Sequence, residues 1–344
     1  MFRRLKLPKS NFNSFFHTLS PRSLITRRSS AAREAKATVT ATKSFHFPVV
    51  HENLAQISVN SVPVSRSGQT KNKTRRKLFH SEPDLGKTKI YEISDLHLEY
   101  YNDPMTLYSN VSKILPCADI LILAGDIGYP MGRHADDYLF LLDRFKQKYN
   151  EVILVPGNHE YFQTINFDRD GIRENLNNIC KKTACHFLDN QTIELNGIRF
   201  IGTTLWTKID PWIKHQINGK GKTFGTIFKD FESYQDEFNK SFQFLQNQLM
   251  RDHEKKVIVT HHVPSYKLQH PKYKQNYMYN SMFYSEILDS LDLTYVKYWF
   301  CGHTHESGSM MHSHSGTQII LNPYGTPWEQ SKRQTEISTK VYLI

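Results

Sequence analysis

A series of short apolar runs, each followed closely by a glycine, a proline or a polar cluster, most constrains the fold of this chain. The runs are Ile120–Ala124, Val152–Val155, Val257–Val259 and Tyr295–Phe300. Runs of this length with such endings are typical of buried strands. Between them, residues 138–149 and 231–249 repeat apolar side chains at a helical spacing. Strands that alternate with helices predict an α/β fold that begins near Lys87.

Two hairpins are expected in addition to these βα units. Residues 193–200 alternate in polarity on both sides of Asn196-Gly197, a dipeptide typical of a tight two-residue turn. A second hairpin is expected at 310–322, where His312 and His314 are predicted to share a solvent-facing side. Hairpins combined with βα units fit two packed sheets flanked by helices.

The positive charge of the chain is concentrated near its start. The first 80 residues hold 16 Lys and Arg against two acidic residues, a balance of +14, whereas the others hold 28 basic and 31 acidic residues, a balance of −3. Only the leader, residues 1–86, is therefore expected to attract nucleic acid or membranes. Its composition predicts disorder, either as a mitochondrial transit peptide or as the solvated tail of a cytoplasmic protein. No apolar run is long enough for a membrane-spanning helix.

Five polar clusters follow the predicted strands. Because ligands of open α/β sheets bind at the carboxyl ends of the strands, we expect these side chains to meet there. The clusters are Ser94-Asp95-Leu96-His97, Gly125-Asp126, Gly157-Asn158-His159-Glu160, Thr260-His261-His262-Val263-Pro264 and Gly302-His303-Thr304-His305.

The residue types in these clusters are those that bind metals. Each cluster alone has an ordinary explanation, since Asp and Gly are common in surface turns. Together they offer carboxylates, imidazoles and an amide carbonyl, which borderline divalent and trivalent metals prefer. One carboxylate can also bridge two ions held roughly 3.5–4 Å apart, the arrangement used for in-line displacement at phosphorus. The sequence therefore indicates a metal-dependent site.

In this order, the five motifs resemble those of the calcineurin-like metallophosphoesterase superfamily. The resemblance covers about residues 88–326, and the phrases at 202–206 and 322–325 are similar to its small, poorly characterised branch. It implies that residues 87–344 form a four-layer α/β-β/α sandwich of two mixed sheets. It also implies a hydrolase acting on phosphate mono- or diesters, with the physiological substrate left open.

The resemblance further implies a role for each motif residue. One metal would be held by Asp95, His97, Asp126 and His305, and the other by Asp126, Asn158, His261 and His303. Asp126 would then bridge two ions, which could be Mn, Fe or Zn. A hydroxide shared by the ions would be the nucleophile.

Two other histidines receive roles from the same resemblance. His159 would protonate the leaving oxygen and help to bind the phosphoryl group. In the matching motif the first histidine is the ligand, so His261 is preferred to His262, which is expected to support a ligand or to pack beside it.

The chain also departs from its apparent relatives. Protein serine/threonine phosphatases carry Gly-Asp-x-x-Asp-Arg-Gly, whereas Asp126 is followed by Ile-Gly-Tyr-Pro-Met. That branch is therefore not expected, and the sequence identifies no partner that orients His159. Relatives often have Arg where Tyr324 stands, which removes one phosphate contact.

Two alternative functions stay open from the sequence. The first is a catalytically silent scaffold on the same fold, although such proteins tend to lose ligands and this chain keeps every one of them. The second is a nuclease that the basic leader recruits to nucleic acid.

Overall fold

The computed structural model describes residues 86–344 except 166, 215–226, 251–252, 270–273, 275–279 and 334–336. All of the leader but its last residue lies outside the described residues, so its predicted disorder and targeting stay predictions. No helix within the described part of the chain is both long and apolar enough to cross a membrane.

The described strands form two mixed sheets. The first has the strand order β11-β1-β2-β3-β4, in which β1 to β4 run parallel and β11 is antiparallel to β1. Its strands are β1 Lys89–Ile93, β2 Ile120–Ala124, β3 Glu151–Val155, β4 His186–Phe187 and β11 Tyr342–Leu343. The apolar runs that predicted β2 and β3 are confirmed.

The second sheet has the order β5-β6-β7-β8-β10-β9. Its strands are β5 Gln191–Leu195, β6 Ile198–Thr203, β7 Lys256–Thr260, β8 Val296–Cys301, β9 Gly308–Met311 and β10 Gln318–Leu321. Strands β6, β7, β8 and β10 are parallel, and each edge is an antiparallel hairpin. Both predicted hairpins are therefore confirmed.

One detail of the second hairpin was predicted wrongly. Strand β9 ends at Met311, so His312 and His314 lie in the turn rather than on an alternating strand. His312 is buried and His314 is exposed, so they do not share a solvent-facing side.

The described chain contains five α-helices. They are α1 Pro104–Val111, α2 Ala135–Lys148, α3 Arg169–Lys182, α4 Phe231–Leu249 and α5 Pro327–Lys332. Most begin at a side chain that accepts a hydrogen bond from a free backbone N–H group, as Asp230 does for α4 and Thr326 for α5. Both α4 and α5 start with a complete capping box. The two helices predicted from apolar spacing are confirmed as α2 and α4.

Alternation along the strands divides the core into layers. In β2, Ile120 and Ile122 belong to a cluster that also contains Val257 and Phe300 of the second sheet, so this cluster lies between the sheets. The alternate residue Leu121 packs in a separate cluster with the helices. Because successive side chains of a strand point to opposite faces, both faces of each sheet are covered. This is the α/β sandwich of two mixed sheets that the sequence predicted.

Candidate metal centre

The polar motifs converge at the carboxyl ends of five strands that belong to the two sheets. Strands β1, β2 and β3 of the first sheet lead into three of the motifs, and β7 and β8 of the second sheet lead into the other two. Seven motif side chains meet in the groups described below: Asp95, His97, Asp126, Asn158, His261, His303 and His305. The expected convergence at the strand ends is therefore confirmed.

The backbone at this convergence has an unusual conformation. The angle φ is positive at five of the seven residues: 55° at Asp95, 50° at His97, 54° at Asp126, 70° at His303 and 52° at His305. Non-glycine residues adopt this left-handed region rarely, and such conformations concentrate at functional sites. Here they turn the chain sharply after β1, β2 and β8.

Two glycines beside the motifs allow the side chains to approach closely. A Cβ atom on Gly125 would lie 2.4 Å from Nδ1 of His261, and one on Gly157 would lie 2.2 Å from Oδ1 of Asp126. Neither distance is compatible with a real side chain, so only glycine fits at these two positions.

The first group of potential ligands is Asp95, His97, Asp126 and His305, whose ligand atoms all lie within 4.8 Å of one another. Nε2 of His305 lies 3.0 Å from Nε2 of His97 and 3.3 Å from Oδ1 of Asp95. Two imidazole nitrogens that face each other can share only one proton. Lone pairs directed at a common point are what a cation requires.

The second group is Asp126, His261 and His303, again within 4.8 Å. Nε2 of His261 lies 3.1 Å from Oδ1 of Asn158 and 3.3 Å from Oδ2 of Asp126. Nε2 of His303 is buried and has no hydrogen-bond partner among the described residues. A buried polar atom without a partner is costly unless something else binds it, and a metal ion would do so. The buried His and Asp groups, with Asp126 in both, are therefore consistent with a dinuclear metal site.

Three of the histidines are oriented through their second ring nitrogen. Nδ1 of His261 lies 2.9 Å from the backbone carbonyl of Ala124, and Nδ1 of His305 lies 2.7 Å from a carboxylate oxygen of Glu329. Nδ1 of His97 lies 3.0 Å from Oε1 of Glu99. When Nδ1 carries the proton, the lone pair is on Nε2, which is the arrangement common to metal-binding histidines.

The electrostatics of the centre favour a cation. Burial raises the pKa of the Asp126 carboxyl, but the neighbouring His261 and His159 outweigh burial and hold it well below its usual value. Burial lowers the pKa of His261, yet the charge of Asp126 raises it to about 9. The carboxylates thus stay ionised and create a negative potential that attracts positive charge.

His159 lies beside the two groups. Its backbone N–H donates to Oδ1 of Asp126 at 2.7 Å, and its ring packs 4.4 Å from the ring of His97 and 4.2 Å from that of Phe162. Nδ1 of His159 lies 2.8 Å from Oε1 of Glu99. Burial lowers the pKa of His159, but Asp126 and Glu99 outweigh burial and raise it.

Sequence reasoning assigned no role to three acidic residues of this site, Glu99, Glu160 and Glu329, of which Glu329 orients His305. Glu99 is the orienting partner of His159 that no motif supplied, and the repeated two-residue spacing from Asp95 to His97 to Glu99 was an available signal. Glu160 accepts the backbone N–H groups of Asp126 at 3.0 Å and Gly157 at 2.6 Å. It thereby ties two of the motif turns together.

His262 has the supporting position expected for it. Its Nδ1 lies 3.2 Å from the backbone carbonyl of Thr204, and its ring packs 4.1 Å from that of His303. Burial lowers the pKa of His262 to about 3, so the ring is neutral beside His261. It belongs to neither group of potential ligands.

Comparison with known proteins shows the family. Residues 88–307 match the calcineurin-like phosphoesterase family. The chain belongs to this family. The match begins one residue before β1 and ends two residues after His305, so it contains all five motifs of this metallophosphoesterase.

Individual relatives of this metallophosphoesterase have low sequence identity to it. An uncharacterized protein of Acanthamoeba polyphaga mimivirus is 27% identical over 274 residues, which cover 70% of this chain and 91% of that protein. The phosphopantetheinyl hydrolase of Mycobacterium tuberculosis has a similar structure, with a TM-score of 0.57 and 16% identity over 75% of this chain and 96% of that one. A dimetal phosphatase from Danio rerio is also similar, with a TM-score of 0.40 and 17% identity over 70% and 88% of the two chains.

Proposed function

We propose that this metallophosphoesterase hydrolyses phosphate mono- or diesters at a dinuclear metal centre. The observation that carries the proposal is the position of Asp126, a buried carboxylate common to both groups of ligand atoms. A carboxylate in this position can bridge two ions, and a pair of ions is the usual clamp for displacement at phosphorus.

The ligands of the two ions are proposed as follows. One ion would be held by Asp95, His97, Asp126 and His305, and the other by Asp126, Asn158, His261 and His303. When bound, two such ions would lower the pKa of a water molecule and offset the negative charge of the phosphoryl group. The ligand set of carboxylates, imidazoles and one amide suits Mn, Fe or Zn.

His159 is proposed to donate the proton to the leaving oxygen. Its Nδ1 is hydrogen-bonded to Oε1 of Glu99 at 2.8 Å, so Nε2 is the nitrogen that would contact the substrate. The raised pKa of His159 favours the protonated ring, which a general acid requires. We also propose that residues 87–344 act as one catalytic domain and that the basic leader is separate from it.

Turnover of nitrophenyl phosphate esters tests the proposal directly. Purified protein is supplied with Mn²⁺ and assayed on the monoester and the diester, while its bound metal is counted. Asp126→Asn protein, purified in the same way, is the control for contaminating phosphatases. We expect the wild type to turn over at least one ester and Asp126→Asn to lose most of this activity. Metal-loaded wild type without activity on either ester would contradict the proposal, and a metal content well below one ion per chain would favour the silent scaffold.

A further inference from the structure

A second set of potential metal ligands lies away from the dinuclear centre. It consists of Asp289, His312 and His314, whose ligand atoms all lie within 4.8 Å of one another. Asp289 belongs to the 3₁₀ turn Leu288–Ser290, and both histidines lie in the turn that joins β9 to β10. We propose that these three residues, called here the hairpin triad, bind a zinc ion.

The hairpin triad lies at the opposite end of the second sheet from the dinuclear centre. Strand β8 has six residues and leads at its carboxyl end to His303. Asp289 comes before the amino end of β8, and the turn with the two histidines leads into the amino end of β10, which is parallel to β8. Six strand residues span about 20 Å, so one metal cannot use both sets of ligands.

The distances within the hairpin triad suit a small ion. Nε2 of His312 lies 3.1 Å from Oδ1 of Asp289, and Nδ1 of His314 lies 3.9 Å from the same oxygen. Ligand atoms arranged tetrahedrally at about 2.0–2.1 Å from zinc are about 3.3 Å apart. Asp289 and His314 are both exposed and can make the small adjustment that remains. Water would complete the coordination.

Hydrogen bonds of its side chain and backbone orient His312 for this role. It is buried, and its Nδ1 lies 2.9 Å from Oγ of Ser315, which in turn lies 2.7 Å from Oγ1 of Thr317. The backbone N–H of His312 also donates to the carbonyl of Thr317 at 2.9 Å. A hydrogen bond at one ring nitrogen fixes the ring and directs the other nitrogen, here Nε2, towards the ligand.

The residue types decide which ion is proposed. Two imidazoles favour zinc and its transition-metal neighbours over calcium or magnesium, which prefer oxygen ligands. The positive charge of Lys267 also acts on Asp289. It disfavours a cation that would be bound by electrostatic attraction alone. A zinc ion here would tie the β9–β10 hairpin to the turn that precedes β8.

Counting bound zinc tests the proposal. The full-length chain is dialysed against Zn²⁺ alone, buffered at a low-micromolar free concentration, and the wild type is compared with His314→Gln. The His314 side chain is 81% exposed, so this change leaves the fold intact. We expect His314→Gln to bind one zinc ion fewer per chain, and the same difference to persist when both proteins also carry Asp126→Asn.

His186→Gln is the matched control. His186 is also a partly exposed histidine beside a carboxylate, with Nε2 2.8 Å from Oε2 of Glu151, but it is not part of any three-ligand group in the described chain. We expect this variant to keep the zinc content of the wild type. Equal zinc content in wild type and His314→Gln, or the same loss in His186→Gln, would overturn the proposal and leave Asp289 and His312 as a hydrogen-bonded pair only.

Discussion

Glu99 and His159, 60 residues apart in the chain, meet through Oε1 and Nδ1 at 2.8 Å. The same oxygen lies 3.0 Å from Nδ1 of His97. Burial raises the pKa of the Glu99 carboxyl, but the two histidines outweigh burial and lower it to about 2. One ionised carboxylate therefore orients both a proposed metal ligand and the proposed acid.

Replacing Glu99 by glutamine tests this dual role. Glutamine keeps the shape and an acceptor oxygen but removes the charge that stabilises protonated His159. We expect turnover to fall about 10- to 100-fold, the usual cost of losing a partner of this kind. The pH above which turnover falls should also move lower. Steady-state kinetics across pH would show both effects, with the exposed Glu194→Gln as control. An unchanged pH profile would contradict the orientation role.

The contrast between two substrates tests the role of His159. A poor alkoxide leaving group needs a proton, whereas nitrophenolate departs without one. In His159→Ala we expect turnover of an alkyl phosphate to fall about 10²- to 10⁴-fold and turnover of the nitrophenyl ester to fall less. Metal content should stay unchanged. Equal losses on both substrates would mean that His159 mainly binds the phosphoryl group, and loss of metal would mean that its proposed role is wrong.

The sequence predicted most of the fold because its patterns are local. Strand β2 was visible as a run of five apolar residues, and the Asn196-Gly197 hairpin as alternation around a tight turn. The turn at His312 was not visible, since no glycine or proline follows the strand until Gly316. The end of β9 is set by its pairing with β10, whose last pair is Met311 with Gln318.

The motif positions were also predictable, but their supporting residues were not. The motifs follow one another along the chain in an order that can be recognised from the sequence alone. Glu329 contacts His305 across 24 residues, and no local pattern reports that contact. The two-residue spacing pointed to Glu99 but not to its contact with His159, 60 residues away. Glu160 is part of a motif, yet its use as an acceptor for several backbone N–H groups depends on how the turns are placed relative to one another.

Removing the charge of Asp126 should damage both proposed ion sites at once. In Asp126→Asn, Oδ1 can still accept the N–H of His159, so the fold should survive. We expect loss of about one bound ion per chain and of most activity, because an amide cannot bridge two cations as a carboxylate does. Metal analysis together with circular dichroism measures this. Asp170→Asn is the control, since that side chain is 89% exposed. Wild-type metal content and turnover in Asp126→Asn would refute the assignment.

Glu92 makes the stability of the sandwich depend on pH. It lies on β1, on the face that carries Ile90 between the sheets, and both carboxyl oxygens are buried without a hydrogen-bond partner among the described residues. Burial and, to a smaller extent, the charge of Asp95 raise its pKa well above the usual value. The folded chain thus binds a proton that the unfolded chain releases near pH 4–5, roughly the ordinary glutamate range.

The direction of the effect follows from this difference. The stability that protonated Glu92 contributes is fully present below the ordinary glutamate pKa. It is lost as the pH rises towards the pKa of the folded chain, by about 1.4 kcal/mol per pH unit for one group. Glu92→Gln cannot ionise, so we expect its free energy of unfolding to fall less steeply than that of the wild type between about pH 5 and 7. Urea unfolding at several pH values, with metal saturating, measures both slopes, and other titrating groups cancel in the comparison. Glu194→Gln should follow the wild type. If Glu92→Gln also runs parallel to the wild type, the pKa of Glu92 is not raised in the folded chain and the prediction is wrong.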